Sequence, residues 1–265
     1  MCRLFGLVSD HPVRVIFSML RSDNAFRKQS LKHSDGWGIG YYENDAAKVS
    51  KQALSAYEST EFENISRSIR SSMFVAHVRK KSSGGINLAN THPFEFNNWI
   101  LAQNGGVGGK WHNRIREEVG KGKIKGSTSG EHLLVWLYTR AGNLQGENQI
   151  EAIVNSLKRL TKTPETFTSA NLVMTTGDNL YAFRYAPTGQ SGRNLYYLER
   201  MKSDTIQSGE TGFSAELINP PLSIGKKVFL VASERITNNE TWQPVKNGEL
   251  LIVNNDVSME KVSIL

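Results

Sequence analysis

One cysteine in 265 residues, and that one at position 2, limits how this chain can be held together. No internal disulfide can form, so stability has to come from a buried apolar core. The composition allows one: 38% of residues are apolar, 22% are charged and only 7 are prolines, as in ordinary globular proteins. A lone thiol fits a reducing compartment. No signal-like N-terminal pattern precedes the first apolar segment, and no apolar run approaches the roughly 20 residues of a membrane span. A cytoplasmic protein without a membrane partner is expected.

The formal charge of +7 raises nucleic acid as a partner. The basic residues are scattered, however, with doublets at Lys80-Lys81 and Lys226-Lys227 and a looser set at Lys121, Lys123 and Lys125. No basic stripe is interleaved with aromatics, so the charge reads as a solvated surface and no nucleic-acid partner is expected. Six histidines form neither a His-Glu-x-x-His pair nor a cysteine–histidine cluster, and no metal or other cofactor is expected. The glycine-rich run Gly105–Lys110 lacks the phosphate-loop spacing, and Trp111 stands where Ser or Thr would hold magnesium.

Along the chain, residues 3–9 read as a strand that breaks at Asp10-His11-Pro12. Pro12 then suits the first turn of a helix with Val13, Ile16, Phe17 and Leu20 on one face. Thr60-Glu61-Phe62-Glu63 and Thr128-Ser129-Gly130-Glu131 have the capping-box form and open two helices. A further helix carries Ile150, Ile153, Val154, Leu157 and Leu160 and ends before Pro164. His33–Tyr42 reads as a loop running into a strand, and strands are expected at 73–79, 99–102, 171–176, 180–185, 194–199, 228–232 and 250–253, with a hairpin at Gly177-Asp178-Asn179. Without repeats or a linker, residues 1–265 are expected to form one α+β domain with antiparallel strands.

Four polar groups stand at the ends of apolar strands, where scaffolds present reactive groups: Cys2, Arg79, His92 and Asn104-Gly105. With Met1 removed, Cys2 would join a nucleophilic sulfur to an α-amine of pKa roughly 7.7–8.0, a proton acceptor on the same residue. The alternative is a small buried apolar cysteine. Asn104 and Gly105 could donate a side-chain amide and a backbone N–H to an oxyanion, or form a turn. Arg79 could hold a carboxylate with two parallel hydrogen bonds, or lie on the surface. His92 is either a polar site residue or a loop histidine.

Together these segments resemble the class II glutamine amidotransferases, which are N-terminal-nucleophile hydrolases. Met1-Cys2-Arg3-Leu4-Phe5-Gly6, Ser34-Asp35-Gly36-Trp37-Gly38-Ile39-Gly40, Ala76-His77-Val78-Arg79, Asn90-Thr91-His92-Pro93-Phe94 and Gln103-Asn104-Gly105 match the family's motifs in order. Asn239-Glu240-Thr241-Trp242-Gln243, followed by Gly248-Glu249, resembles the small stand-alone, YafJ-type branch. The resemblance implies a four-layer αββα sandwich. It also implies attack by Cys2 on the side-chain amide of glutamine or a γ-glutamyl compound, releasing ammonia or an amine. Asn104 and Gly105 would hold the oxyanion and Arg79 the substrate α-carboxylate. His92 and the loop 80–85, which contains Ser82, would close the pocket.

The family's acidic partner for the substrate α-ammonium is replaced here by Ser129, leaving Glu131, another mode of recognition, or weak binding of the amino group. Lys80-Lys81, where relatives carry Ala-Thr, would favour a more acidic substrate. No synthase segment is expected in this chain, so ammonia would go to a partner protein or be released by hydrolysis. The competing reading is an inactive binding or regulatory module with the same fold. Neither the residues nor the resemblance speaks to the oligomeric state.

Overall fold

In the computed structural model, residues 2–81, 84–120, 122–162, 167–187, 194–201 and 226–265 are described. Their strands form two antiparallel sheets. The first contains β1 (Arg3–Val13), β2 (Trp37–Glu43), β3 (Ala46–Gln52), β4 (Ser71–Val78), β9 (Tyr196–Met201), β10 (Lys227–Ala232) and β11 (Gln243–Pro244). Its order is β11-β9-β10-β1-β4-β2-β3. The second contains β5 (Phe94–Phe96), β6 (Trp99–Val107), β7 (Phe167–Thr175), β8 (Asn179–Tyr185), β12 (Glu249–Asn254) and β13 (Met259–Ser263), in the order β13-β12-β8-β7-β6-β5.

The period-2 alternation of each strand sorts its side chains into separate cores. Leu4, Val8, Met73, Val75, Ile100, Ala102 and Val173 pack between the sheets. Phe5, Leu7, Phe74, Ala76 and Val78 turn to the outer face of the first sheet, with Phe26 of α1 (Phe26–Gln29) and Phe62 of α2 (Thr60–Ser68). Leu101, Leu172, Met174 and Phe183 turn to the outer face of the second. There they meet α3 (Gly109–Val119), α4 (Ser129–Ala141) and α5 (Gly146–Lys162). Helix, sheet, sheet, helix is the αββα sandwich that the resemblance implies. Helix α4 is buried on nearly every face because it is wedged between β6, α3 and α5.

Local details depart from the sequence reading. β1 runs on through Pro12 to Val13, with a register shift against β4 that accommodates the proline. The expected helix shrinks to one π-helical turn, Phe17–Arg21. The cap of α2 is Ser59, whose Oγ accepts the Phe62 N–H at 3.0 Å, one residue before the expected Thr60. At α4 the capping box does not close: Thr128 makes no side-chain cap bond. Glu131 instead reaches back to the N–H groups of Lys125 (2.8 Å) and Gly126 (2.6 Å). β6 continues through Asn104-Gly105 to Val107, so this pair lies in a strand and is no turn. The segment 109–119 and the short strands β3, β5, β11 and β13 were not anticipated.

Candidate active site

At one end of the sandwich the inward-facing positions change from apolar to polar. Counting inward positions along the strands, Leu4 leads back to Cys2, Val75 on to His77 and Ala102 on to Asn104; Val173 leads back to Asn171. His77, Asn104 and Asn171 are 1%, 6% and 2% exposed. The polar layer caps the core between the sheets, where an unmet donor or acceptor is costly, so its hydrogen bonds decide its geometry.

Asn104 Nδ2 donates to the Cys2 carbonyl at 2.7 Å, and His77 Nε2 lies 3.2 Å from Asn104 Oδ1. Burial pushes the His77 pKa down to about 3, so its ring is neutral. Gly105 has φ 116°, a backbone conformation that side chains other than glycine's disfavour. Cys2 Sγ sits 3.2 Å from both the N–H and the carbonyl oxygen of Lys80. Burial raises the thiol pKa, opposed first by the Lys80 N–H and then by the positive charges of the N-terminus and Arg79.

Arg79 follows β4 and is 4% exposed. Its backbone is clamped by residues before β2: the Arg79 N–H donates to the Gly36 carbonyl at 2.7 Å, and the Asp35 N–H donates to the Arg79 carbonyl at 3.0 Å. Arg79 Nη1 donates to the Gly85 carbonyl at 3.0 Å. Asn90 holds the same carbonyl through Nδ2 (3.3 Å), while its Oδ1 accepts the Ser127 N–H (2.9 Å). The loop after Arg79 is thereby tied to the entry of α4. Burial lowers the arginine pKa, against the opposing charges of Cys2 and Asp35.

On the other side of Cys2 a cleft of about 310 Å³ opens, with Asn104, Asn171, Tyr196, Glu234 and Arg235 in its wall. Arg3 pairs with Glu234 at its edge.

This chain matches the class II glutamine amidotransferases over residues 1–263. It belongs to that family. YafJ of Escherichia coli (strain K12) is 27% identical over 268 residues, covering 94% of this chain and 96% of YafJ. An uncharacterised protein of Methanocaldococcus jannaschii, MJ1515, is 28% identical, covering 96% of this chain and 70% of that protein. A gamma-glutamyl-hercynylcysteine sulfoxide hydrolase of Mycobacterium tuberculosis (strain CDC 1551 / Oshkosh) is 32% identical over 82 residues, 31% of this chain and 35% of that protein. Two solved structures share the fold. A glutamine aminotransferase class-II domain protein from Silicibacter pomeroyi superposes with TM-score 0.64 at 16% identity, over 99% of both chains. The glutamine phosphoribosylpyrophosphate amidotransferase of B. subtilis gives 0.65 at 20% identity, over all of this chain and 49% of that one.

The remaining expected residues of this amidotransferase-family chain lie further out. His92 lies between His77 (centroids 4.6 Å apart, rings tilted by 33°) and Phe94 (4.5 Å, edge-to-face). Its ring nitrogens have no hydrogen-bond partner among the described residues, and burial holds its pKa well below the usual histidine value. The ring occupies the space a side chain at position 130 would need: a Cβ on Gly130 would lie 2.2 Å from His92 Nε2. Ser129 Oγ lies 3.0 Å from His112 Nε2. Ser82 lies outside the described residues. Among the described residues no cluster of three His, Cys, Asp or Glu could hold a metal, and no helix is long and apolar enough to cross a membrane.

Nothing in the sequence pattern assigns a role to His77, Asn171, Glu234 or Arg235. Asn171 carried one usable signal: an asparagine on the inward parity of a strand whose other inward residue, Val173, is apolar. Glu234 and Arg235 carried none, because only the pairing of β10 with β1 brings them to Cys2.

Proposed function

We propose that this protein hydrolyses the side-chain amide of glutamine or of a γ-glutamyl compound through a thioester on Cys2. The observation that carries the reading is the Asn104 amide, which donates from Nδ2 to the backbone carbonyl of Cys2 at 2.7 Å and is met at Oδ1 by His77. Removal of Met1 would free the Cys2 α-amine, whose ordinary pKa of roughly 7.7–8.0 suits it to take the thiol proton. Such a base is needed because the buried thiol, with its raised pKa, is protonated near neutrality.

Sγ then adds to the amide carbon, and the oxyanion is held by Asn104 Nδ2 and the Gly105 N–H, donors of a kind each worth about 2.7–4 kcal/mol at comparable sites. Collapse breaks the carbon–nitrogen bond as the α-ammonium returns its proton to nitrogen. Water hydrolyses the thioester and restores the thiol. Arg79 pairs with the substrate α-carboxylate. His92 supports the floor by packing on His77. The substrate α-ammonium would be met at α4 by Ser129, whose Oγ also lies 3.0 Å from His112 Nε2, or by Glu131, whose Oε1 and Oε2 each also accept a backbone N–H. The partial relation to a γ-glutamyl hydrolase supports γ-glutamyl compounds as well as glutamine. We assign residues 1–265 to one such domain and to a reducing, cytoplasmic setting that keeps Cys2 a thiol. The ammonia or amine passes to water or to a partner protein.

The test is the intact mass of the purified protein before and after treatment with a glutamine-mimicking diazo-ketone. Loss of Met1 and one adduct on Cys2 are expected. A retained Met1, or a free Cys2 that takes no adduct, would overturn the reading and leave a binding module of the same fold.

A further inference from the structure

In the first sheet β1 lies between β4 and β10, with Leu4 opposite His77 and Phe5 opposite Ala232. Arg79 and Lys80, which follow β4, therefore flank Cys2 on one side. Ser233, Glu234 and Arg235, which follow β10, flank it on the other. An amide carbon under attack carries its acyl chain on one side and its nitrogen on the other. A substrate whose carboxylate lies at Arg79 must turn its nitrogen toward β10, into the cleft of about 310 Å³. Ammonia needs far less, since a molecule of that size occupies about 30 Å³ in liquid water.

The cleft wall carries a prepared acceptor. Asn171 faces Asn104 directly across the β6–β7 ladder, so the two side chains stand on the same face. Asn171 Nδ2 donates to the Asn194 carbonyl at 2.8 Å, a bond only the NH₂ end can make, which fixes where Oδ1 points. That Oδ1 is buried and has no partner among the described residues. At the outer wall Arg235 lies over the Tyr196 ring, 5.0 Å from its centroid, exposed and with no carboxylate partner among the described residues. The neighbouring Glu234 is paired with Arg3.

We infer that this cleft binds the leaving amine and that the amine is an amino acid, so that the substrate is a γ-glutamyl peptide with a free carboxylate on its leaving residue. Asn171 Oδ1 accepts the N–H of the leaving nitrogen, and Arg235 pairs with the carboxylate across the cleft. The inference rests on the Cys2 amidohydrolase chemistry proposed above. The carbon–sulfur bond forms, the carbon–nitrogen bond breaks with the proton delivered to nitrogen, and the amino acid departs as the free amine. Water then releases glutamate and regenerates the thiol.

Steady-state kinetics of the Met1-processed protein on γ-glutamylglycine, γ-glutamylethylamide and L-glutamine test it. We expect kcat/KM for γ-glutamylglycine to exceed that for γ-glutamylethylamide by about tenfold, the scale of one charge-assisted hydrogen bond. Arg235→Ala brings that ratio close to one, and Arg235→Lys keeps part of it. Asn171→Ala lowers kcat on both γ-glutamyl amides more than it raises KM. Equal turnover of the two amides, a ratio that survives Arg235→Ala, or turnover of glutamine alone would overturn the inference and leave the amidohydrolase standing. No turnover of any of the three by the processed protein would overturn both.

Discussion

His77 Nε2 lies 3.2 Å from Asn104 Oδ1, the end of the Asn104 amide opposite the one that faces the Cys2 carbonyl. The Cys2 carbonyl can only accept, so the NH₂ end must face it; the remaining Oδ1 then requires a donor, which a neutral histidine supplies from Nε2–H. His77 is thus a positioning residue. His77→Phe should lower kcat by tenfold or more, up to the ~10²–10³ that removal of a whole oxyanion donor costs, while KM changes little. His77→Gln, which keeps a donor, should recover much of the rate. Equal kcat in the two variants would show that the ring only fills space.

The thiol of Cys2 is held above its ordinary pKa by burial. In protein that retains Met1, with no free α-amine on Cys2, the thiolate fraction should therefore still be rising above the usual thiol range. Alkylation by iodoacetamide, followed from pH 7 to 10, should climb throughout. A plateau near pH 8 would contradict the burial argument.

Stability should fall in mild acid. The unfolded chain protonates histidine near 6.5, whereas folded His77 resists down to about 3 and His92 also stays neutral well below its usual range. The stabilisation is complete above pH 6.5 and is lost as pH falls toward the folded values, because there the unfolded state binds the extra protons. Each histidine adds a slope of up to about 1.4 kcal/mol per pH unit. Urea unfolding at pH 7, 5.5 and 4.5 measures it, and His77→Gln should remove one histidine's share.

Glu240 anchors the segment between β10 and β11. Its carboxylate accepts from Arg200 Nε (2.7 Å) and Nη2 (2.5 Å) and from Thr237 Oγ1 (2.5 Å), and Thr237 Oγ1 in turn accepts from Trp242 Nε1 (3.0 Å). Arg200 and Glu240 side chains are only 8% and 10% exposed. Glu240→Ala should cost about 3–5 kcal/mol, the scale for breaking one side of a buried pair. Replacing both members by apolar residues of similar size should restore most of it. Thermal unfolding of the three proteins checks this.

Gly130→Ala places a methyl group where the His92 ring lies. Forced repacking of this kind costs about 1–3 kcal/mol, and loosening His92 releases the support behind His77. Thermal unfolding should show the loss, and kcat should fall with it. An unchanged melting temperature would mean that α4 shifts freely.

The residues themselves determined much of this protein. Alternating apolar positions marked the long inward-packed strands, and Cys2, Arg79 and Asn104-Gly105 were legible as polar groups at strand ends. These signals are local: side-chain period and turn chemistry act over a few residues. Other features depended on which segments meet. The strand through Asn104-Gly105 is a strand because β7 pairs with it, overriding an Asn-Gly preference for turns. Glu131 left the capping box because the Lys125 and Gly126 N–H groups were brought within its reach. Asn171, Glu234 and Arg235 reach Cys2 from segments up to 233 positions away in the chain, through β6–β7 and β1–β10 pairing. Sequence patterns carried the inward or outward parity of each strand; only tertiary pairing decided which inward polar groups became neighbours, because hydrogen-bond registry between distant strands leaves no trace in either strand alone.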